Sequence, residues 1–506
     1  MDQWIALNAA ACWSAPDGER AFAIWTHCTL YPSEIFGYAF QRSYSYIGIT
    51  SSALFYPLSL VFHPDLARHL LIVTLSLLTI LGFSKSFKLS LALTPLWFLY
   101  FPIGYNMVLD SGPVLVNLVA IAWTPWLFLR FKSSVGTVRF VYPGLAAVLF
   151  LLATEDKPFF LALVPMQILL SLAAAGRADV RLQNTRKSLS LFYSIASIGP
   201  MVVLFASSFN DKPYILHLAG SNAHVRTGST QVAEVAESAL PNVLRSLSNG
   251  IWLTIDWHAS AHRAIDPGEQ SIDPSMFLLA RFSEQMSWIS RTIYALGAGS
   301  QLLFSLVIIL WMIYANSRRA GTPSTTFNRY ILASFIVGLF SVVAFGGWAH
   351  HHFFFLHIPL LLFILVWFER AQTPWYRSVW IAFSAWSVLS ISFASNFADR
   401  SYDNVVTLIS EVEERNPAVP LVVNCASWGC YFQSVHLTEA RTAITNLAAS
   451  EGLQELSHVA QKEGRRLVHL CRNCREEMSN LKPTSEINLS LLGESADWSA
   501  YVIEPR

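Results

Sequence analysis

Ten apolar segments, each long enough to cross a lipid bilayer, dominate the sequence. Each has about 16 to 22 residues, and none has a charged residue near its middle. Unpaired backbone polar groups are costly in lipid, so such segments span as helices. A shorter apolar stretch at 47–62 contains Ser51, Ser52 and Pro57 and favours an interfacial or re-entrant segment. The sequence predicts a mainly α, polytopic membrane protein with spans at about 69–84, 89–106, 112–129, 138–153, 158–175, 189–207, 294–315, 330–347, 353–368 and 377–395.

Charged residues are scarce through most of the chain but reach the density of a soluble protein near its end. Only 13% of the 506 residues are charged, and about 25 of these follow residue 395, a density typical of soluble domains. The 34 basic residues balance the 33 acidic ones, so no positive field favours nucleic acid as a partner. Three parts are expected: an outward loop at 1–67, a transmembrane domain at 68–395 with a long outward loop at 208–293, and a soluble, outward α/β domain at 396–506.

Lysine and arginine are concentrated in one alternating set of short loops. The opposite short loops contain only Lys157, and by the positive-inside rule the basic set is cytoplasmic. The lipid bilayer is thus the first expected partner. Residues 1–67 would face outward, but 1–46 contain neither a signal peptide nor a spanning helix, so a first span is expected upstream. The basic set comprises Lys85, Lys88, Arg130, Lys132, Arg139, Arg177, Arg181, Arg186, Lys187, Arg318, Arg319, Arg329, Arg370 and Arg377.

Cysteine placement agrees with this orientation, because all six fall in segments predicted to face outward. An even number on the oxidising side favours disulfides. The C-x4-C and C-x2-C spacings in the tail leave zinc or free thiols as alternatives. Strands are expected in the tail at 420–424, 466–470 and 498–504, and a helix at 453–463. The cysteines are Cys12, Cys28, Cys425, Cys430, Cys471 and Cys474.

Charged residues that are not cytoplasmic gather at the outward ends of the predicted spans, in five short motifs. The first, Pro16-Asp17-Gly-Glu19-Arg-Ala-Phe-Ala, is an acidic pair before an aromatic. The others are Tyr56-Pro57-Leu58 followed by Ala67-Arg68, then Leu109-Asp110-Ser111, then Asp156-Lys157-Pro158, and finally His351-His352-Phe-Phe-Phe-Leu-His-Ile-Pro359.

In this order the motifs resemble those of the class C superfamily of polytopic membrane glycosyltransferases, which includes protein O-mannosyltransferases and lipid A aminoarabinose transferases. The first motif has one inserted glycine, the fourth lacks a glycine, and the last has histidine where the family has lysine or arginine. The resemblance covers about residues 10–395 and extends to the tail.

The resemblance implies a transferase of the cell envelope. Such an enzyme moves a sugar from a polyprenyl-phosphate donor to a lipid, glycan or protein acceptor by inverting single displacement. It would act on the outer side of a bacterial inner membrane, with the tail in the periplasm. No cofactor is implied, and a divalent metal requirement stays open. Single displacement needs a base for the acceptor and cations for the departing phosphate.

The resemblance assigns the catalytic side to acidic residues. Asp17 is the expected base, with a helix N-cap as its structural alternative. Glu19 would orient the acceptor or Arg20, although surface solvation explains it equally well. Asp110 is either a second polar contact to the acceptor or a cap on the next span.

Basic residues are assigned to the donor phosphate. Lys157 is the first candidate, with contact to a lipid headgroup as its alternative. Arg68 has the same two interpretations. His351 and His352 would donate to phosphate, although three adjacent histidines cannot all face one site. No metal ligand is predicted.

Two other classes of function remain open. One is a lipid or glycan flippase or an assembly scaffold without catalysis. The other is an O-antigen polymerase or ligase using basic residues of the long loop, such as Arg226, Arg245, His258 and His262. Convergence of Asp17, Asp110 and Lys157 in one outward cavity would favour the glycosyltransferase.

Overall fold

A computed structural model describes a bundle of apolar helices and a small five-stranded sheet. The chain divides into two compact units. The membrane unit contains Pro32–Ser51 and His69–Phe397, and the carboxyl-terminal unit contains Ser52–Arg68 and Ala398–Arg506. The residues described are 31–35, 38–42, 50–62, 64–100, 103–104, 107, 113–178, 187–207, 303, 306–316, 323–344, 354–370, 378, 381–382, 385, 403–415, 420–425, 443–445, 450–472, 474, 478, 487–495 and 498–505.

Helices account for nearly all of the described membrane unit. A two-stranded sheet of β1 (Tyr31–Ile35) and β2 (Tyr38–Arg42) comes first. The helices that follow are α1 (Thr50–Ser59), α2 (Pro64–Phe87), α3 (Thr94–Leu99), α4 (Pro113–Ser133), α5 (Val141–Asp156), α6 (Val164–Arg177), α7 (Lys187–Ser207), α8 (Leu306–Asn316), α9 (Pro323–Ala344) and α10 (His357–Arg370).

Five helical segments of the described chain are long and apolar enough to cross a membrane: Leu66–Phe87, Val114–Ser133, Thr137–Asp156, Phe159–Arg177 and Thr325–Val343. They correspond to the spans predicted at 69–84, 112–129, 138–153, 158–175 and 330–347. Shorter apolar helices cover Phe192–Val203, Leu306–Asn316 and Phe354–Glu369, and the span predicted at 377–395 lies almost wholly outside the described residues. The mainly α, multi-pass membrane fold is therefore confirmed.

The prediction of one continuous span at 89–106 is wrong. The segment contains a 3₁₀ turn at Leu91–Leu93 and the six-residue helix α3, which ends where Tyr100 turns to extended backbone. Pro95 lies in the first turn of α3 and starts a new helix there. A hydropathy window counts apolar residues and does not detect such a break.

Helices α6 and α9 pack antiparallel, with a glycine at each end of their contact. A β-carbon on Gly176, near the end of α6, would lie 2.9 Å from the Thr326 side chain at the start of α9. A β-carbon on Gly338, late in α9, would lie 3.2 Å from the sulfur of Met166 at the start of α6. The two glycines allow the helices to approach closely.

The predicted cytoplasmic loops meet at one end of the bundle, which we call the Arg177 end. Phe131 of α4, Ala146 of α5, Ala175 of α6 and Tyr193 of α7 form one buried cluster there. The Arg177 side chain donates to the backbone oxygens of Phe87 and Lys88 and pairs with Glu369. These contacts bring together loops that the positive-inside pattern placed on one side.

A proline in α4 explains one of two neighbouring hydrogen bonds between helices. Pro125 has no N–H, so the Ile121 carbonyl lacks its usual helical donor. Gln167 of α6 donates its side-chain N–H to that oxygen at 3.0 Å, and Ser86 of α2 donates to the neighbouring Ala122 oxygen at 2.7 Å. Neighbouring helices thus satisfy the backbone that the proline frees, as a membrane interior requires.

The carboxyl-terminal unit is the predicted small α/β module. Its sheet has the order β4 (Ala443–Thr445), β3 (Leu421–Cys425), β5 (Arg466–Arg472), β7 (Trp498–Pro505) and β6 (Ile487–Ser495). Strands β4, β3 and β5 are parallel to one another, and β7 runs antiparallel to both of its neighbours, β5 and β6. The expected strands at 420–424, 466–470 and 498–504 and the expected helix, α12 (Ser450–Lys462), are confirmed. The short β4, the edge strand β6 and α11 (Asp403–Arg415) were not predicted.

Helix α12 covers one face of this sheet. Leu453, Leu456 and Ala460 pack against Val422 and Leu467. The three described cysteines of this unit are oxidised, as predicted: Cys471 and Cys474 form a disulfide, and Cys425 is also disulfide-bonded. For Cys471 and Cys474 the zinc alternative is therefore wrong.

A buried histidine makes the stability of this unit dependent on pH. His469 on β5 is 4% exposed, and Asn424 on β3 donates to its Nδ1 at 2.9 Å. Burial lowers the pKa of His469 from 6.5 to about 4, and a hydrogen bond with the Asn424 backbone opposes the shift. The unfolded chain therefore binds a proton between pH 6.5 and 4 that the folded unit excludes.

We expect the free energy of unfolding of this unit to fall by about 3 kcal/mol as pH decreases from 6.5 to 4. Above pH 6.5 the contribution of His469 is constant. Hydrogen exchange of β3 and β5 in the intact protein measures the change, and His469→Gln should remove it. An equal acid response in the variant would contradict this origin.

Candidate functional site

Most residues assigned to the predicted site lie outside the described chain. Asp17, Glu19, Asp110, His351 and His352 are among these, so their roles and their convergence stay predictions. Arg68 and Lys157 are described, in different units. Arg68 lies near the start of α2 and is half-buried.

Lys157 and Arg177 lie at opposite ends of the helix bundle. We call the end that contains Lys157 the Lys157 end. Lys157 is the C-cap residue that follows α5, and a 3₁₀ turn at Pro158–Leu163 leads from it into α6. Its backbone N–H donates to Ala153 at 3.0 Å, and its carbonyl accepts from Phe160 at 2.9 Å. The residue is only 3% exposed. A lysine is rarely buried to this extent unless its charge is compensated.

The two carboxylates before Lys157 hold the start of another helix. Asp156 accepts from the backbone N–H of Ser51 at 2.9 Å and from its hydroxyl at 2.5 Å. Glu155 accepts from the backbone N–H of Thr50 at 3.0 Å and also from the Thr50 hydroxyl. We call these four residues the α1 clamp.

The electrostatics of the clamp are favourable for α1. The N-terminal turn of a helix presents unsatisfied N–H groups and partial positive charge, and carboxylates stabilise both. At the end of α5 the same carboxylates meet the partial negative charge of their own helix. Lys157, which follows directly, places a cation where that dipole favours one. Glu155 and Asp156 therefore act as caps, and Asp156 is fully buried in that role.

Sequence reasoning missed the clamp, although one signal was present. Thr50 and Ser51 precede an apolar run, which is a typical helix start. No pattern in the sequence shows that their capping carboxylates come from residues more than one hundred positions away. Helix α1 has ten residues, about 15 Å, and is too short to span; its interfacial position stays a prediction.

A second polar contact that the sequence did not reveal lies deeper in the bundle. The Tyr100 hydroxyl and the His357 Nδ1 are 3.0 Å apart, and both residues are fully buried. His357 begins α10, about 18 Å along the helix axis from Glu369, which accepts from the Ser90 N–H at 3.0 Å. The segment from Ser90 to Tyr100 is thus bonded to α10 at both ends.

No group of three or more histidine, cysteine, aspartate or glutamate side chains that suits a metal ion occurs among the residues that the structure describes.

The chain is similar to known proteins in structure but not in sequence. No protein family model matches the chain, and no curated protein sequence does. Among solved structures, the chain is similar to the crystal structure of ArnT from Cupriavidus metallidurans bound to undecaprenyl phosphate. The identity is 11%, the TM-score is 0.43, and the match covers 99% of this chain and 98% of that one.

Proposed function

We propose that the protein is a membrane glycosyltransferase of the class C type, which uses a polyprenyl-phosphate sugar as donor. It acts on a lipid, glycan or protein acceptor at the outer face of a bacterial inner membrane. In this proposal the Lys157 end of the bundle and residues 396–506 both face the periplasm. The proposal joins the motif resemblance to the geometry around Lys157.

The observation that carries the proposal is the buried position of Lys157. The cation lies where α5 meets α6, and the opposite end of each helix carries cytoplasmic-type arginines, Arg139 and Arg177. A lipid-linked phosphate reaches such a place from the bilayer, because its polyprenyl chain lies among the spans. A soluble nucleotide sugar has no comparable route.

The chemistry assigns each group one task. Lys157 stabilises the negative charge that develops on the departing polyprenyl phosphate. Arg68, His351 and His352 are further proposed contacts to that phosphate. Asp17 takes the proton of the acceptor while the acceptor attacks the anomeric carbon from the opposite face, which inverts its configuration. Glu19 and Asp110 orient the acceptor.

Lys157→Ala tests this assignment. We expect the KM for undecaprenyl-phosphate sugar to rise on the order of 10- to 100-fold, because a charge-assisted contact to phosphate is lost. Lys157→Arg should recover part of the loss. Lys85→Ala, an exposed lysine at the Arg177 end, is the matched control and should leave the KM unchanged.

Two results would contradict the proposal. One is an unchanged donor KM in Lys157→Ala with normal expression. The other is movement of lipid-linked sugar across proteoliposome membranes by the wild-type protein without any sugar transfer, which would favour the flippase.

A further inference from the structure

Three buried polar side chains near the Lys157 end have hydrogen-bonding atoms that nothing in the described structure satisfies. Asn117 of α4 is fully buried, and neither its side-chain nitrogen nor its oxygen has a partner among the described residues. Gln167 of α6 lacks a partner for its side-chain oxygen, and Thr154 of α5 lacks one for its hydroxyl. Both are at most 2% exposed.

Other buried hydroxyl groups of the bundle are satisfied within their own helix. Thr79 of α2, Thr124 of α4 and Ser171 of α6 each donate to the carbonyl four residues earlier, at 2.7 to 3.0 Å. The Thr154 hydroxyl in α5 could donate to the carbonyl four residues earlier in the same way, but it does not make this hydrogen bond. Its hydroxyl is therefore available to another acceptor or donor.

The three side chains lie on helices that pack together. Helix α4 packs against both α5 and α6. Gln167 reaches the Ile121 carbonyl at 3.0 Å, and Asn117 lies one turn from Ile121 on the same face of α4. Thr154 is on the last turn of α5, three residues before Lys157.

Leaving these polar atoms without a hydrogen-bond partner is costly. A buried amide or hydroxyl without a partner costs about as much as a lost hydrogen bond or more, and no bulk water reaches a membrane interior to replace the bond. Tyr193, Asn316 and Asn328 each hold such an atom on α7, α8 and α9, and these three residues lie at the Arg177 end. The group at the Lys157 end differs in its place, since Thr154 lies one helical turn from Lys157.

We propose that Asn117, Gln167 and Thr154 form a neutral polar pocket that binds the hydroxyl groups of the donor sugar. The inference rests on the proposed function, in which the donor phosphate meets Lys157. Amide and hydroxyl groups both donate and accept, as sugar hydroxyls do. None of the three is charged, so the pocket suits an uncharged polyhydroxyl group next to the lysine that takes the phosphate.

The contribution of the sugar to binding tests the pocket. The intact protein in lipid nanodiscs is titrated with undecaprenyl phosphate alone and with its mannose and glucose conjugates. We expect the wild type to bind at least one conjugate on the order of tenfold more tightly than the bare lipid. Asn117→Leu should reduce this ratio to near one and leave the affinity for the bare lipid unchanged.

Thermal stability supplies a second measurement. Because Asn117→Leu removes an unsatisfied buried amide and keeps the side-chain size, its melting temperature without lipid should rise on the order of 1–2 °C. Thr154→Val should also lower the affinity ratio, independently of Asn117. Thr124→Val is the matched control, because Thr124 is buried on α4 with its hydroxyl already bonded, and it should leave the ratio unchanged.

Each other outcome overturns the pocket in a distinguishable way. If the bare lipid binds through Lys157 but no conjugate binds more tightly, the pocket is wrong and the proposed donor role of Lys157 stands. The same holds if Asn117→Leu and Thr154→Val leave the ratio intact, since the polar atoms then hold only water. If the wild type binds none of the lipids, the pocket and the proposed function both fall.

Discussion

Replacing Asp17 with asparagine is expected to abolish sugar transfer without lowering the amount of folded protein. If Asp17 is the base, the acceptor loses the group that takes its proton, a loss typically worth 10²- to 10⁴-fold in rate. Asparagine has nearly the same size and cannot accept a proton at neutral pH. The measurement is turnover of undecaprenyl-phosphate sugar by the purified variant at saturating donor.

The asparagine variant also separates the two interpretations of Asp17. Asparagine caps a helix about as well as aspartate does, so a purely capping role predicts normal stability and normal activity. Asp17→Ala, which removes both the base and the cap, should lose stability as well as activity. Full turnover by Asp17→Asn would remove Asp17 from the mechanism.

Much of the fold follows from local sequence patterns. The spans can be predicted because the length of an apolar segment and the charge of a loop are local properties of the sequence. The strands around Val422 and Val468 can be predicted because they are continuous apolar runs. Strand β6 was missed because it is an edge strand with exposed polar positions, among them Asn488 and Ser490. The early end of α3 at Tyr100 was missed because mean hydropathy does not register where a helix ends.

The site was predictable only where one residue stands out by its own chemistry. Lys157 was found because it is the single basic residue in its set of loops. The α1 clamp joins residues about one hundred positions apart. The hydrogen bond that Gln167 donates to α4 exists because Pro125, in that other helix, has no N–H. Such contacts depend on which helices pack against each other, and the local sequence does not show this.

Loss of the Arg177 side chain is expected to destabilise the membrane unit strongly. Arg177 is 10% and Glu369 27% exposed, so the pair is largely removed from water. Without the guanidinium, the half-buried Glu369 carboxylate loses its cation, and the carbonyls of Phe87 and Lys88 lose a donor. Lys88 has a φ of 51°, an unfavourable backbone for a non-glycine residue, so its conformation depends on these contacts.

We therefore expect Arg177→Met to lower the free energy of unfolding by about 3 kcal/mol, measured by denaturant titration of the intact protein in detergent. Glu411→Gln removes an exposed pair with Arg415 and is the matched control, with an effect below about 0.5 kcal/mol.

The double variant Arg177→Met/Glu369→Leu should regain part of the loss, because it no longer leaves a half-buried carboxylate without its cation. If the double variant is as unstable as the sum of the two single ones, the damage comes from the freed carbonyls of α2 rather than from the orphaned charge. A loss in Arg177→Met no larger than in Glu411→Gln would mean that the contacts at the Arg177 end do not hold the helices together.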